Sequence, residues 1–160
     1  MKESPEAAEI RQFEPRNTAA IRVKTTLDKM TPKVIQLLNE TAAYLESQGV
    51  APAGPGFGIY HDVGRHGFLV DVEVGYPVDV EITGNKRIHP GSLPGGKAAV
   101  VAYKGPHAKM AAAHQAAQSW LNKHGIASSS APTREVFLTD LRQIGEVEAC
   151  EAEAVWPIDP

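Results

Sequence analysis

An internal repeat restricts the fold of this sequence more than any other feature. The segment EVGYPV at Glu73–Val78 returns as EAVWPI at Glu153–Ile158. Three further matches follow in the same order along the chain: Ala19–Val23 with Ala98–Ala102, Tyr44–Val50 with Trp120–Ile126, and Pro55–Tyr60 with Pro132–Phe137. Each match is short, but their common order and their nearly constant spacing of 76 to 80 residues indicate a duplicated structural unit.

Each half has the pattern of a β-α-β-β unit. In the first half, residues 18–24 have the β-branched, alternating pattern of a strand. A helix is predicted to follow, with Thr31 as its cap, Pro32 at its first helical position and Gly49 as its stop. The other predicted elements are strands at 57–62, 68–75, 97–104, 134–139 and 147–156, a second helix at 107–124, and a linking segment at 79–96.

The repeat predicts an α+β fold of duplicated β-α-β-β modules with pseudo-twofold symmetry. One helix for every three strands can cover only one face of a sheet, so both helices should lie on one face of a larger, antiparallel sheet. We expect one domain over residues 1–160, with repeat halves at about 8–78 and 79–158. A ligand groove is expected between the halves, on the sheet face opposite the helices.

Charge and composition restrict the class of partner. The formal net charge is −3 and no run of Lys and Arg exceeds two residues, which argues against direct binding of nucleic acid. No apolar run approaches the roughly 20 residues that cross a bilayer, and the N-terminus lacks the apolar core of a signal peptide. The one cysteine, Cys150, allows no internal disulfide and suits a reducing compartment. We therefore expect a cytoplasmic protein without membrane attachment.

One loop resembles a nucleotide site but lacks two of its parts. Residues Gly91–Lys97 match the first seven positions of a phosphate-binding P-loop. Ala98 stands where the metal-binding hydroxyl is needed, and the loop leads into a predicted strand rather than a helix N-terminus. We therefore predict no nucleotide cofactor at this loop.

The histidines give no metal signature. His61 and His66, on either side of a predicted turn, do not have the spacing of a zinc site. His114 and His124 lie on the second predicted helix and are expected to face solvent. We predict neither a bound metal nor any other cofactor.

A carboxylate on the strand at 134–139 is the centre of the candidate binding site. Strand alternation places Glu135 and Phe137 on one face, and Val136 and Leu138 on the other. Because Val136 and Leu138 suit the face beneath the helices, Glu135 and Phe137 are expected to face the groove. The repeat aligns Tyr60 with Phe137 and so places it there too. Further candidates for the ligand-binding walls are Phe57, Trp120, Tyr103 and Trp156.

This combination of residues suits a cationic or planar apolar ligand. Aromatic rings supply dispersion and cation–π attraction, and the carboxylate neutralises charge or accepts a hydrogen bond. Burial among these rings is expected to raise the pKa of Glu135 above its free value of about 4.3. The alternative interpretation is that Glu135 is a solvated strand residue paired with an arginine, and that the aromatic residues belong to the core.

The second half of the chain resembles the GyrI-like small-molecule-binding domains, which also serve as effector-binding domains of AraC- and MerR-type bacterial regulators. The segments that carry the resemblance are Leu93–Pro106, Ser119–Leu121, Ala131–Asp140 and Ala154–Ile158, and the likeness extends from about residue 8 to 158. It implies two β-α-β-β modules with a groove between them and a signature acid at Glu135. In multidrug-sensing relatives this acid meets lipophilic cations among aromatic side chains. Phe137 stands where many members have tyrosine, which removes one hydroxyl group.

The resemblance implies three functions, from which we take small-molecule sensing or sequestration as the main prediction. One alternative is a hydrolase that opens the strained cyclopropane rings of natural products. In such an enzyme Glu135 would be the general base, and Tyr60 and Trp120 would complete the implied catalytic set. The other alternative is a gyrase-inhibitor-like role with a protein partner. The segment before residue 8 is too short for a helix-turn-helix, so a complete transcription factor is not expected.

Overall fold

The computed structural model describes residues 8–63, 69–145 and 148–159. These residues form eight β-strands and two α-helices. The strands are β1 (Glu9–Phe13), β2 (Arg16–Thr26), β3 (Gly56–Val63), β4 (Leu69–Val78), β5 (His89–Leu93), β6 (Gly96–Pro106), β7 (Thr133–Phe137) and β8 (Ala149–Pro157), and the helices are α1 (Met30–Ser47) and α2 (Ala111–Lys123). Each helix follows a short 3-10 turn, Leu27–Lys29 before α1 and His107–Lys109 before α2.

All eight strands belong to one antiparallel sheet. Their order is β1-β6-β8-β7-β3-β4-β2-β5, with β7 and β3 paired at the centre. Outward from this pair, β8, β6 and β1 on one side correspond to β4, β2 and β5 on the other. The predicted α+β class, with an antiparallel sheet and two helices, is confirmed. The strand order is what two copies of one unit would produce, and the duplication itself stays a prediction.

The helices end where the sequence predicts but begin differently. Gly49 and Gly125 follow α1 and α2 with φ of 69° and 66°, a left-handed conformation that glycine adopts without strain. Thr31 does not cap α1, because the helix already begins at Met30 and has no side-chain cap. The strands β1 and β5 were not predicted, since their polar and Gly/Pro-containing sequences have no alternating apolar pattern.

Both helices pack on the same face of the sheet. Their buried residues recur at helical spacing and share one core cluster with alternate residues of the strands. From the helices this cluster takes Val34, Leu37, Leu38, Ala113, Ala117 and Leu121, and from the strands it takes Ile21, Val74, Val101, Phe137 and Ala154. Within the described part of the chain, neither helix has the length and apolarity needed to span a membrane.

The orientation expected for β7 is wrong. Phe137 belongs to the core cluster beneath the helices, whereas Val136 packs on the opposite face with Phe13 and Val155. Leu138 lies just beyond β7 and is exposed. Glu135 therefore shares the helix-bearing face with Phe137, and the groove opens on this face rather than on the opposite one. Alternation determines which residues share a face, but both faces of β7 have apolar residues, so it does not determine which face the helices cover.

Candidate functional site

A cavity of about 610 Å³ opens on the helix-bearing face, above the centre of the sheet. Both 3-10 turns and the first turns of both helices border it, so the two halves of the chain meet there. Its apolar wall includes Leu27, Met30, Met110, Ala111, Pro132 and Trp156, and its polar residues include Tyr60, His107, His114 and Glu135. A cavity of this size, mainly apolar with a few converging polar groups, is typical of a small-molecule site.

Glu135 lies at the base of this cavity with three hydrogen-bond donors around its carboxylate. The residue is only 4% exposed. The Tyr60 hydroxyl donates to Oε1 over 2.8 Å, and Nε2 of His107 lies 3.0 Å from the same oxygen. Nε2 of His114 lies 2.8 Å from Oε2. The three donors come from β3, the second 3-10 turn and α2, so the carboxylate joins elements from both halves of the chain.

The hydrogen bonds of His114 determine where its proton lies. The indole Nε1–H of Trp156 donates to Nδ1 of His114 over 2.9 Å. An indole nitrogen can only donate, so Nδ1 must present a lone pair and the ring proton must be on Nε2. Nε2–H then donates to Glu135. A proton on Nδ1 would set two N–H groups against each other, so the tautomer with its proton on Nε2 is the one that fits both contacts of His114.

A buried hydroxyl holds the second histidine. Oγ1 of Thr31 lies 2.7 Å from Nδ1 of His107, and both side chains are buried. A hydroxyl can donate or accept, so this contact allows Nε2 of His107 to direct its proton at Glu135. The ring of His107 also meets the ring of Phe137 edge to face, with 5.5 Å between centroids. Thr31 and Phe137 thus position His107 from two sides.

The surroundings of Glu135 lower its pKa rather than raise it. Burial alone would raise this pKa, but the hydrogen bonds from His107 and His114 outweigh burial and lower it to about 2. The expected upward shift is therefore wrong, because the two imidazole donors were not anticipated. Burial, together with the adjacent carboxylate, raises the pKa of Tyr60 well above its ordinary value, so its phenol stays protonated and donates.

Three of the candidate binding residues meet in the cavity. Glu135 and Tyr60 are hydrogen-bonded, and Trp156 borders the same space while it bonds to His114. Phe137 lies beneath them in the core, against His107. Glu135 is buried and, among the described residues, pairs with histidines and not with an arginine, in contrast to the alternative interpretation.

The remaining candidates lie elsewhere. Phe57 is on the opposite face of the sheet, where it packs with Ala20 and Ile59. The ring of Trp120 stacks on His124 at the end of α2, with 4.1 Å between ring centroids. The Tyr103 hydroxyl donates to the carbonyl oxygen of Pro106, and Tyr103 does not border the cavity. Their predicted role in ligand binding therefore has no support from their positions.

Sequence reasoning missed both histidines of the site. His114 was expected to face solvent, and His107 was not singled out. The available signal was their spacing, since His107, Met110 and His114 recur at three to four residues and so lie on one side of a helix. Met110 is buried, and a polar residue on the same stripe has to find a partner inside the protein. The other histidine of α2, His124, is exposed as expected.

Comparison with known proteins agrees with this architecture. The family model described as the GyrI-like small molecule binding domain matches residues 7–158. No curated protein matches the chain with significance.

Among solved structures, the EcmrR C-terminal domain is similar with a TM-score of 0.77 and 17% identity, over 95% of this chain and 96% of that one. The EcmrR–DNA complex gives a TM-score of 0.80 and 18% identity, over 95% of this chain but only 57% of the EcmrR chain. SAV2435 bound to tetraphenylphosphonium gives a TM-score of 0.60 and 12% identity, over 96% and 94% of the two chains. At these identities the similarity shows a shared fold.

Proposed function

We propose that this chain, which belongs to the GyrI-like small molecule binding domain family, binds a lipophilic organic cation in the cavity above Glu135. One observation carries the proposal: a buried carboxylate whose pKa is lowered to about 2 lies at the base of a mainly apolar cavity. Within the described chain no lysine or arginine pairs with Glu135. A ligand with a positive charge and an apolar body complements such a site.

The hydrogen bonds of Glu135 favour recognition by charge and shape. A carboxylate has about four lone-pair sites, and Tyr60, His107 and His114 occupy three of them. At most one site, on Oε2, is left for a ligand donor. A cation without N–H groups loses little at such a site, because it is attracted by the charge of the carboxylate rather than by a directed hydrogen bond.

The cavity wall favours tolerance towards ligand shape. Met30 and Met110 border the cavity, and the unbranched thioether side chain adapts to irregular surfaces. Tyr60 and Trp156 contribute aromatic rings, whose attraction to a cation is worth about 0.5–2 kcal/mol. These residues support drug sensing or sequestration over a range of ligands more than strict selectivity for one ligand.

A pair of ions with similar shape and opposite charge tests the proposal. Tetraphenylphosphonium, which the structurally similar SAV2435 binds, would be titrated calorimetrically into the protein beside tetraphenylborate. We expect the phosphonium ion to bind and the borate to bind at least tenfold more weakly. Glu135→Gln should weaken phosphonium binding by about tenfold to a hundredfold, the equivalent of a charge-assisted contact of about 1.5–3 kcal/mol.

The matched control is Glu151→Gln, which removes the same charge from an exposed position on β8. It should leave both affinities unchanged. Equal affinities for the two ions, or a Glu135→Gln variant that binds the phosphonium ion like the unaltered protein, would reject the proposal.

The hydrolase alternative has weaker support. A carboxylate beside two imidazoles is typical of acid–base chemistry, but a carboxylate with a pKa of about 2 is a weak base. His114 has no free lone pair either, because Trp156 occupies its Nδ1 and its Nε2 carries the proton. We expect a cyclopropane-bearing alkylator to remain unchanged, by mass spectrometry, after long incubation with the protein. A ring-opened, water-added product that disappears in Glu135→Gln would establish the hydrolase instead.

A further inference from the structure

The sheet face opposite the cation cavity contains a buried arginine. Arg134 precedes Glu135 on β7, so strand alternation directs the two side chains to opposite faces. The residue is only 4% exposed. Within the described ranges Arg134 has no carboxylate partner, and its buried Nε has no hydrogen-bond acceptor. A buried charge without a partner is rare, because taking it out of water costs several kcal/mol.

An aromatic ring compensates for only part of this cost. The guanidinium carbon lies 4.8 Å from the centroid of the Phe13 ring, which is within the range of a cation–π contact. A ring attracts the charge but accepts none of the directed hydrogen bonds that a guanidinium fork can donate. Arg134 therefore has unused capacity for an anion.

A second cavity, of about 430 Å³, gives this arginine space for a ligand. Lys97 lies in its wall as a second positive charge, and Phe13, Pro94 and Ile158 provide apolar surface. The same wall includes Gly96, above whose Cα there is open space. This is the loop that resembles a P-loop in sequence, although it leads into β6 and not into a helix.

We propose that Arg134 and Lys97 form a binding site for a small carboxylate with an apolar or aromatic body. The guanidinium fork binds a carboxylate through two parallel hydrogen bonds, Lys97 adds a positive charge at the rim, and Phe13 packs against the body of the ligand. This site is separate from the cation site and does not depend on the function proposed above, since the two open on opposite faces of the sheet.

One carboxylate of the chain competes for the same position. Asp159 borders the cavity and is exposed, but it forms no ion pair with Arg134 or Lys97 within the described residues. An internal counter-ion of this kind would occupy Arg134 without any external ligand. The experiment must therefore distinguish Asp159 from a bound molecule.

Benzoate and the uncharged benzamide are suitable probes, followed by NMR titration of the full chain in low-chloride buffer. We expect benzoate to perturb the amide signals of β1, β7 and the loop before β6, and benzamide to bind at least tenfold more weakly. Arg134→Lys, which keeps the charge but removes the fork, should weaken benzoate binding at least tenfold. Lys97→Gln, at an exposed residue that the fold does not require, should weaken it about threefold to tenfold.

Two controls make the outcome decisive. Lys123→Gln, at the end of α2, and Glu151→Gln, at an exposed position on β8, should both leave benzoate binding unchanged. Equal binding of benzoate and benzamide, or benzoate binding that withstands both Arg134→Lys and Lys97→Gln, would overturn the proposal. Absence of benzoate binding in the unaltered protein would also overturn it, and a gain of binding in Asp159→Asn would then identify Asp159 as the resident counter-ion.

Discussion

Trp156 donates its indole N–H to Nδ1 of His114 and thereby determines which ring nitrogen of His114 carries the proton. The two nitrogens are 2.9 Å apart, and they join β8 to α2. Because the indole leaves Nδ1 without a proton, the ring of His114 directs its only N–H at Glu135. A tryptophan at the cavity wall thus orients the hydrogen bond that keeps the central carboxylate ionised.

Replacing Trp156 with phenylalanine should allow the ring proton of His114 to lie on either nitrogen. The variant keeps an aromatic ring but loses the indole donor to Nδ1 of His114, so both tautomers of the ring become accessible. Nitrogen-15 NMR of the histidine side chains should show a fixed Nε2–H tautomer in the unaltered protein and a mixture in Trp156→Phe. The matched control is Trp120→Phe, which removes an indole that stacks on His124, whereas the indole bonded to His114 is that of Trp156. A fixed tautomer in both variants would contradict this account of His114.

Glu135 should make the stability of the protein depend on pH in the acid range. Its pKa is about 2 in the folded protein and close to 4.5 in the unfolded chain, so the unfolded chain binds the proton more tightly. The stabilising contribution is therefore fully present above about pH 4.5 and is lost as the pH falls towards 2. Relative to Glu135→Gln, the unaltered protein should gain about 2–3 kcal/mol in the free energy of unfolding between pH 2 and 5.

Urea unfolding of both proteins across this range would measure the difference. Glu151→Gln is again the control, since its carboxylate is exposed, and its curve should run parallel to that of the unaltered protein. A constant difference between the unaltered protein and Glu135→Gln would mean that the histidine donors do not lower the pKa of Glu135.

The main helices and strands and the proximity of Tyr60 and Glu135 could be predicted from the sequence, because both predictions depend on local patterns. Periodicity identified the helices, and the repeat aligned the two strands that pair at the sheet centre, where Gly58 lies opposite Glu135. The face of β7 could not be predicted in the same way. Val136 and Phe137 are both apolar and both packed, so hydrophobicity does not distinguish the face that the helices cover.

The partners of Glu135 depend on tertiary geometry that the sequence does not display. His114 lies 21 residues from Glu135 and reaches it because α2 packs on β6 and β8, and β8 is the neighbour of β7 in the sheet. Taken alone, a histidine on an amphipathic helix is expected on the polar side. The direction of the pKa shift was wrong for the same reason, since burial was foreseen and the donors were not.

The exposed side chain of Leu27 should contribute to ligand affinity but hardly to the free energy of unfolding. It is 66% exposed at the rim of the cation cavity, where a bound apolar body would cover it. Leu27→Ala should weaken tetraphenylphosphonium binding about threefold to tenfold, while the free energy of unfolding changes by less than about 0.5 kcal/mol. Leu69→Ala is the matched control, because Leu69 is 53% exposed on β4 and does not border the cavity. Equal affinities of the two variants would place the ligand away from Leu27.

Two threonines of α1 should respond in opposite ways to the same substitution. Thr31 and Thr41 are both buried, but only Thr31 has a partner for its hydroxyl, Nδ1 of His107 at 2.7 Å. In the described structure the hydroxyl of Thr41 has none. Thr31→Val leaves the imidazole nitrogen unpaired in the interior, so it should lower the free energy of unfolding by about 1–3 kcal/mol and weaken cation binding. Thr41→Val replaces an unpaired hydroxyl with a methyl group of similar size and should be neutral or stabilising. Urea unfolding of both variants measures the contrast, and equal losses would mean that the bond between Thr31 and His107 contributes nothing beyond the packing of α1.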